Sequence, residues 1–205
     1  MRFFWYIHFF LNGGKRICGN EPRDSVKVVW EGSEPESCYN SHPYFLRAML
    51  TILDSRVNKA GRLKALYVKT EKGVLFEVKP HVRIPGTFKR FAGIMLQLLQ
   101  KLSITAVGKR EKLLRVIKNP VSQYLHIDCR KIGFSHSSEK LVDIQDYING
   151  INNDMNLVFV VGAMDHGKIE KDYVEDYISV SDYPLSAAYC ISMVANAVER
   201  KWKIL

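Results

Sequence analysis

The sequence predicts an α/β fold built on a sheet with parallel strands, and two observations carry that expectation. The second half of the chain alternates short apolar runs with a helical pattern: Lys131–Phe134 and Leu157–Val161 have the length and composition of strands, and Ile144–Ile148 between them that of a helix. Leu157–Val161 is moreover apolar and mostly β-branched, the composition of a buried strand, and it runs straight into Gly162. At 205 residues and 47% hydrophobic content the chain suits one full domain with an ample core.

Residues 1–11 are expected to form a first strand closed by Asn12-Gly13-Gly14. Arg2 and His8 interrupt this apolar run, no small-residue cleavage pattern follows it, and it is too short to span a bilayer. Val26–Trp30 is a second short strand candidate, and Glu31–His42 is a polar, turn-rich loop. Phe45, Met49, Ile52 and Leu53 keep helical spacing, so Tyr44–Leu53 is predicted as a helix, broken by Asp54–Gly61. Leu63–Lys69 and Val74–Lys79 flank Glu71-Lys72-Gly73 as a β-hairpin would. Thr87 is placed to cap a helix of about four turns whose apolar face is Phe88, Phe91, Ala92, Met95, Leu99 and Leu102. Glu111–Ile117 suggests a further helix ended by Asn119-Pro120. Pro184 opens the last helix, which is apolar or small almost all round from Leu185 to Val198. Such a helix must be covered on most sides, and a second copy of the chain is a natural cover.

The charge of +9 is unevenly spread. Between Pro43 and Pro120 there are 17 Lys/Arg against 4 Asp/Glu, a net of +13, and the remainder holds 13 against 17. A solvated surface accounts for a modest excess; thirteen net charges in so short a stretch favour a phosphate-binding face. Lys89 and Arg90 fall in the first turn of their predicted helix, where the dipole disfavours cations, and with Arg83 and free helix N–H groups they would suit an RNA phosphate. Exposed charges there cost only a few tenths of a kcal/mol, so a solvated turn is the alternative. The four cysteines are scattered without a CxxC pair, and the six histidines without ligand spacing, so neither a disulfide frame nor a metal site is expected.

Gly162–Lys168 spells GxxxxGK after a buried strand, but the next residue is Ile169, not the Ser or Thr that would hold Mg²⁺. On spacing alone, two glycines in a tight turn after a core strand suffice as an explanation. A third reading joins this loop to Ile178–Ala188, ISVSDYPLSAA.

That reading rests on resemblance. LDS at Leu53–Ser55, NKAG at Asn58–Gly61, GVLFEVKP at Gly73–Pro80, RIP and TFKRF within Arg83–Phe91, and EKLLRVIKNPVS at Glu111–Ser122 recur in order. With VFVVGAMDHGK at Val158–Lys168 and ISVSDYPLSAA they make the sequence, over roughly residues 45–205, similar to the pseudouridine N1-methyltransferases of small-subunit ribosome biogenesis, of the SPOUT class. The resemblance implies a single α/β domain over residues 1–205. Within it, residues 1–42 form a divergent N-terminal stretch, residues 54–90 a basic RNA-facing segment with a β-hairpin and helix insertion, and residues 131–205 a trefoil-knotted cofactor region with a mostly parallel sheet. It implies S-adenosylmethionine held by Phe134, Gly162, Gly167 and the run Ile178, Ser179, Val180, Ser181, Asp182, Tyr183. It further implies methyl transfer to N1 of a pseudouridine in small-subunit rRNA, a homodimer, pre-ribosomal assembly factors as partners, a nucleolar setting in the nucleus, and neither metal nor membrane. Arg56, Lys59, Arg62, Arg83, Lys89 and Arg90 would hold the RNA backbone. Asp54 is the candidate base, its alternative role being to brace its own turn. An rRNA-binding assembly factor for which methylation is secondary stays open as a different class of function. The sequence departs from the family pattern at Arg56, where proline is usual, and at Gly86, where an arginine is usual.

Overall fold

The computed structural model describes residues 5–11, 42–70, 73–108, 110–125, 128–162 and 174–204. Eight strands are present among these: β1 Trp5–Leu11, β2 Leu63–Thr70, β3 Leu75–Val78, β4 Ser103–Thr105, β5 Lys112–Ile117, β6 Cys129–Phe134, β7 Asn156–Gly162 and β8 Asp176–Ile178. They form one sheet in the order β4-β5-β3-β2-β1-β7-β6-β8. The helices are α1 His42–Asp54, α2 Arg56–Lys59, α3 Phe88–Lys101, α4 Ile144–Asn149 and α5 Ala187–Lys201. The expected turn at 12–14 and the strand at 26–30 lie outside the described residues.

The α/β class holds, but the sheet is mixed rather than mostly parallel. Only β6–β7 and β6–β8 pair in parallel; the other pairings are antiparallel. Parallel neighbours require a crossover, and α4 provides one between β6 and β7, whereas β2 and β3 are joined by a tight turn. At that turn Gly73 has φ +76, the left-handed conformation that glycine adopts without a Cβ clash.

Strand residues on one face, among them Leu66, Val68, Phe76, Ile132, Phe159 and Val161, join the helices in the main core. Ala65, Tyr67, Leu75, Val158 and Val160 on the other face form a smaller cluster with Val121 and Leu125 of a 3-10 turn at Val121–Tyr124. Glu77 is buried on that second face, opposite Arg115 on β5. Its carboxylate accepts from Lys79 Nζ (2.9 Å) and Arg115 Nε (2.6 Å). Burial pushes the Glu77 pKa up, and the two charged hydrogen bonds outweigh it, leaving the group below its ordinary range. The GVLFEVKP motif therefore carries a charged pair within an otherwise apolar strand.

Four sequence expectations are corrected here. Lys112–Ile117 is a strand, not a helical segment, because Leu113, Leu114 and Val116 are drawn into the core while β3 and β4 supply its hydrogen bonds. In α3 the buried stripe is Phe91, Ile94, Met95 and Leu98, with Leu99 and Leu102 about half exposed. The leucine-rich segment offers two overlapping stripes, and packing against α1 selects one. Thr87 occupies the N-cap position but its side chain makes no capping bond. Finally, α5 begins after Ser186, whose Oγ accepts from the Tyr189 N–H, so Pro184 precedes the helix. Most of the cover that α5 demands comes from within the chain, from α1, α4 and β7. Tyr189, Ser192, Asn196 and Arg200 form the stripe left exposed.

Candidate functional site

Phe134, Val161 and Ile178 lie in one row across β7, β6 and β8, at the C-terminal ends of the three parallel strands. In open α/β sheets this edge is where ligand crevices form. Phe134 packs its ring 5.9 Å from Phe159, and Ile178 is fully buried, so these side chains form apolar wall beneath the edge rather than free contacts. Several backbone groups are already committed. Ser135 N–H donates to the Ile178 carbonyl (3.0 Å), Ser179 N–H to Lys140 (2.8 Å), and Val142 N–H to the Ser179 carbonyl (2.9 Å). Ser179 Oγ donates to the Ser181 carbonyl (2.9 Å), and Ser181 Oγ accepts from the Tyr183 N–H (3.0 Å). The backbone N–H groups of Val180, Ser181 and Asp182 have no partner among the described residues. At Gly162 an added Cβ would meet nothing within 4 Å among the described residues. Tyr183 is exposed at the rim. Gly167 lies outside the described residues, as does the 163–173 connection.

This combination suits S-adenosylmethionine: an apolar wall, open backbone donors and a glycine whose missing Cβ leaves room. No group of His, Cys, Asp and Glu among the described residues has the arrangement to hold a metal ion.

One strand before the cradle a polar network fixes β8. Asp176 Oδ2 accepts from Tyr147 Oη (2.6 Å), Arg130 Nη2 (2.7 Å) and Arg130 Nε (3.0 Å), and Lys140 Nζ reaches Oδ1 at 3.3 Å. The Tyr147 hydrogen bond holds the Asp176 carboxyl at about 2; burial opposes this, and Arg130 and Lys140 reinforce it.

A second site occupies the opposite edge of the sheet. Leu63, Leu11 and Leu157 are in register there, whereas Tyr6 and Gly162 mark the cradle edge. Here α1, α2, α5 and residues 82–84 enclose a groove of about 950 Å³, lined by Asp54, Arg56, Lys59, Arg83, Asn196 and Glu199 among others. The sequence motifs LDS and NKAG contribute Leu53, Asp54, Ser55 and Lys59 to its lining. Ser55 caps α2, accepting from the Asn58 N–H (3.2 Å) and donating to the Ile52 carbonyl (2.7 Å). Asn58 Nδ2 donates to the carbonyls of Leu53 (2.7 Å) and Pro80 (2.8 Å), tying the turn to the end of β3. Gly61 has φ +71, which lets the chain turn sharply into β2.

Of the expected RNA-holding residues, Arg56, Lys59 and Arg83 line this groove. Lys59 pairs with Asp54 at 2.7 Å, and Arg56 with Glu199 at 3.4 Å. Arg62 instead stacks over Trp202, 5.3 Å from the ring. Lys89 and Arg90 are exposed at the start of α3 and do not line the groove. The groove and the cradle lie toward opposite ends of β7, whose five steps from Leu157 to Gly162 span about 17 Å. Within one chain Asp54 is therefore out of hydrogen-bond reach of a base held at the cradle. Sequence reasoning missed Glu199, a carboxylate only 7% exposed whose Oε1 accepts from the Val57 N–H at 3.3 Å. Its signal was its phase, since it follows Ile191 and Ala195 at helical spacing on the buried side of α5.

The fold and the two sites define an α/β protein with a ligand cradle at the parallel-strand edge and a basic groove at the other. Residues 45–199 match the family described as EMG1/NEP1 methyltransferase, and the chain belongs to that family. It is 46% identical over 159 residues to the mouse ribosomal RNA small subunit methyltransferase NEP1, covering 78% of this chain and 64% of the mouse protein. The Candida albicans protein of the same name is 46% identical over 160 residues, 77% of this chain and 59% of that one. A Thermococcus kodakarensis Nep1 is 29% identical over 147 residues, covering 71% and 65%. The chain thus spans about three fifths of the length of the curated relatives it matches. Archaeoglobus fulgidus Nep1, solved bound to S-adenosylhomocysteine, superposes with a TM-score of 0.62 at 21% identity, covering 77% of this chain and 69% of that one. That likeness shows the fold, of the SPOUT type; the region of the expected trefoil knot, residues 131–205, includes residues 163–173, which lie outside the described residues.

Proposed function

We propose that the protein is an S-adenosylmethionine-dependent methyltransferase that modifies N1 of a pseudouridine in small-subunit rRNA. The observation that carries the reading is the row Phe134, Val161 and Ile178, which ends three parallel strands beside Gly162 and beside N–H groups of Val180–Asp182 that have no partner among the described residues. The relatives' names supply the substrate class, small-subunit rRNA. When bound, the cofactor supplies an electrophilic methyl group; the chain's task is to hold the target nitrogen in line and receive its proton.

The 17 Å separation bears on how that is done, and it supports a homodimer. The exposed stripe of α5 runs from the cradle edge to the groove edge, about 22 Å for its 15 residues. A two-fold axis across this face sets two such helices antiparallel, so each groove meets the partner's cradle. Asp54, 82% exposed at its side chain and oriented by Lys59, then faces a base that enters from the partner's side. Arg56, Lys59 and Arg83 hold the backbone of a splayed-out strand. The setting proposed for this reaction is the pre-ribosomal particle in the nucleolus, with assembly factors as partners.

Mass spectrometry of nucleosides, after incubating pseudouridine-containing RNA with protein and labelled cofactor, tests the reaction. Label at N1 is the expected result; no label would leave the RNA-binding assembly role as the reading, which the separation of groove and cradle within one chain also favours. Mixing Gly162→Val with Asp54→Asn protomers tests the shared site. Random reassociation pairs one intact cradle with one intact Asp54 in half of the dimers, restoring about a quarter of full activity. An inactive mixture would place both groups in one protomer or remove Asp54 from the reaction.

A further inference from the structure

The groove does not end at Arg56. A second hollow of about 460 Å³ shares Arg56, Asn196 and Glu199 with it and is otherwise lined by Arg200, Lys203 and Ile204. The two cavities adjoin at those three residues, and together the track is lined by five cations: Arg83, Lys59, Arg56, Arg200 and Lys203. Its two carboxylates are each engaged, Asp54 by Lys59 and Glu199 by Arg56. Arg83, Arg200 and Lys203 have no ion-pair partner among the described residues, so the track keeps an excess of positive charge along its length.

The common reason for cations at a helix C-terminus is the dipole, and one residue here serves it. Lys201 points its ammonium at the carbonyls of Ile148 (2.6 Å) and Ile151, closing the end of α4. Arg200 and Lys203 take no such bond. Lys203 also holds an uncommon conformation. Lys203 N–H donates to the Arg200 carbonyl (3.2 Å) and Ile204 N–H to that of Glu199 (2.9 Å), the two bonds of a Schellman motif. Lys203 is the left-handed residue of that motif, at φ 53, where glycine is the usual occupant because it has no Cβ to clash. The chain thus places a cation, at a conformational cost, on the wall of the hollow.

We infer that Arg200 and Lys203 extend the RNA-binding track, holding phosphates of nucleotides that flank the target base. The inference rests on the RNA reading of the first groove. An RNA backbone is the occupant that the charge favours: two adjoining hollows that share Arg56, Asn196 and Glu199, with cations spaced along both.

The test uses full-length Arg200→Gln/Lys203→Gly with two oligouridylates, one short enough to fill only the first groove and one several nucleotides longer. Arg83→Ala runs in parallel. Lys203→Gly gives the Schellman position its favoured residue, so thermal stability is expected to hold or rise while binding weakens. For the longer RNA, the slope of log affinity against log salt is expected to fall by about 1.4, roughly 0.7 for each of two phosphate contacts on a single strand, and for the short RNA to stay unchanged. Equal losses on both lengths would mean a general field effect and overturn the track. No loss on the longer RNA, with Arg83→Ala still reducing its slope, would overturn the extension and leave the groove reading standing. No loss from any of the variants would remove the groove reading itself. Weakened binding of polyglutamate with RNA binding intact would assign the hollow to an acidic protein and overturn the inference.

Discussion

Replacing Asp176 with asparagine should destabilise the protein by an amount the structure sets and pH can switch off. Asp176 gathers three donors, Tyr147, Arg130 and Lys140, onto one carboxylate that is 19% exposed. These hold its pKa at about 2 against 3.8 for a free aspartate. Nearly two units at about 1.4 kcal/mol each give roughly 2 kcal/mol that depends on the charged form. Because the folded-state pKa is the lower one, this stabilisation is fully present above 3.8 and is lost as pH falls through about 2. Asp176→Asn keeps the shape and loses the charge. Its urea midpoint at neutral pH should fall correspondingly, and its melting temperature by about 4–8 °C for a chain of this size. The gap from wild type should close as pH is lowered toward 2. Other carboxylates titrate in both proteins and cancel in the difference. Equal midpoints at neutral pH, or a gap that persists at about pH 2, would refute the reasoning. Asp176 lies two residues before Ile178, so weaker cofactor binding should accompany the instability.

The remaining predictions address single residues. Gly162→Val should fold with near-wild-type stability, since nothing within 4 Å opposes a Cβ there, yet lose S-adenosylhomocysteine binding by calorimetry; retained binding would move the cofactor elsewhere. Glu199→Ala strands the buried Val57 N–H and should cost about 1–3 kcal/mol in urea unfolding, with Glu199→Gln recovering most of it by keeping the acceptor; equal losses would assign the effect to the Arg56 pair instead. Arg83→Ala should leave stability unchanged and lower the salt slope of RNA binding by about 0.7. Burial pushes the Cys190 thiol up to about 12, so alkylation of the native protein followed by peptide mapping should find Cys190 unlabelled until the chain is unfolded.

Which segments carry chemistry is written in the order of residues alone. A buried strand ending in glycine, the ISVSDYPLSAA run and the basic excess between Pro43 and Pro120 are local or compositional properties, legible without coordinates, and so are α1, α4 and the β2–β3 hairpin. The motifs NKAG and LDS were visible as words, but their work was not: Asn58 reaches Pro80, twenty-two residues away, a contact no spacing encodes. Folding settles the matter wherever one segment admits two answers and a distant partner chooses between them. Lys112–Ile117 pairs as a strand because β3 and β4 lie on either side of it. The α3 leucines divide between core and solvent according to the packing of α1. The sheet is mixed because hairpins outnumber crossovers. Above all, strand direction sets the groove that Asp54 lines and the cradle at Gly162 toward opposite ends of β7, a strand that spans about 17 Å from Leu157 to Gly162. A sequence lists those residues as members of one site; the register of the sheet assigns them to two sites, which a second copy of the chain can bring together.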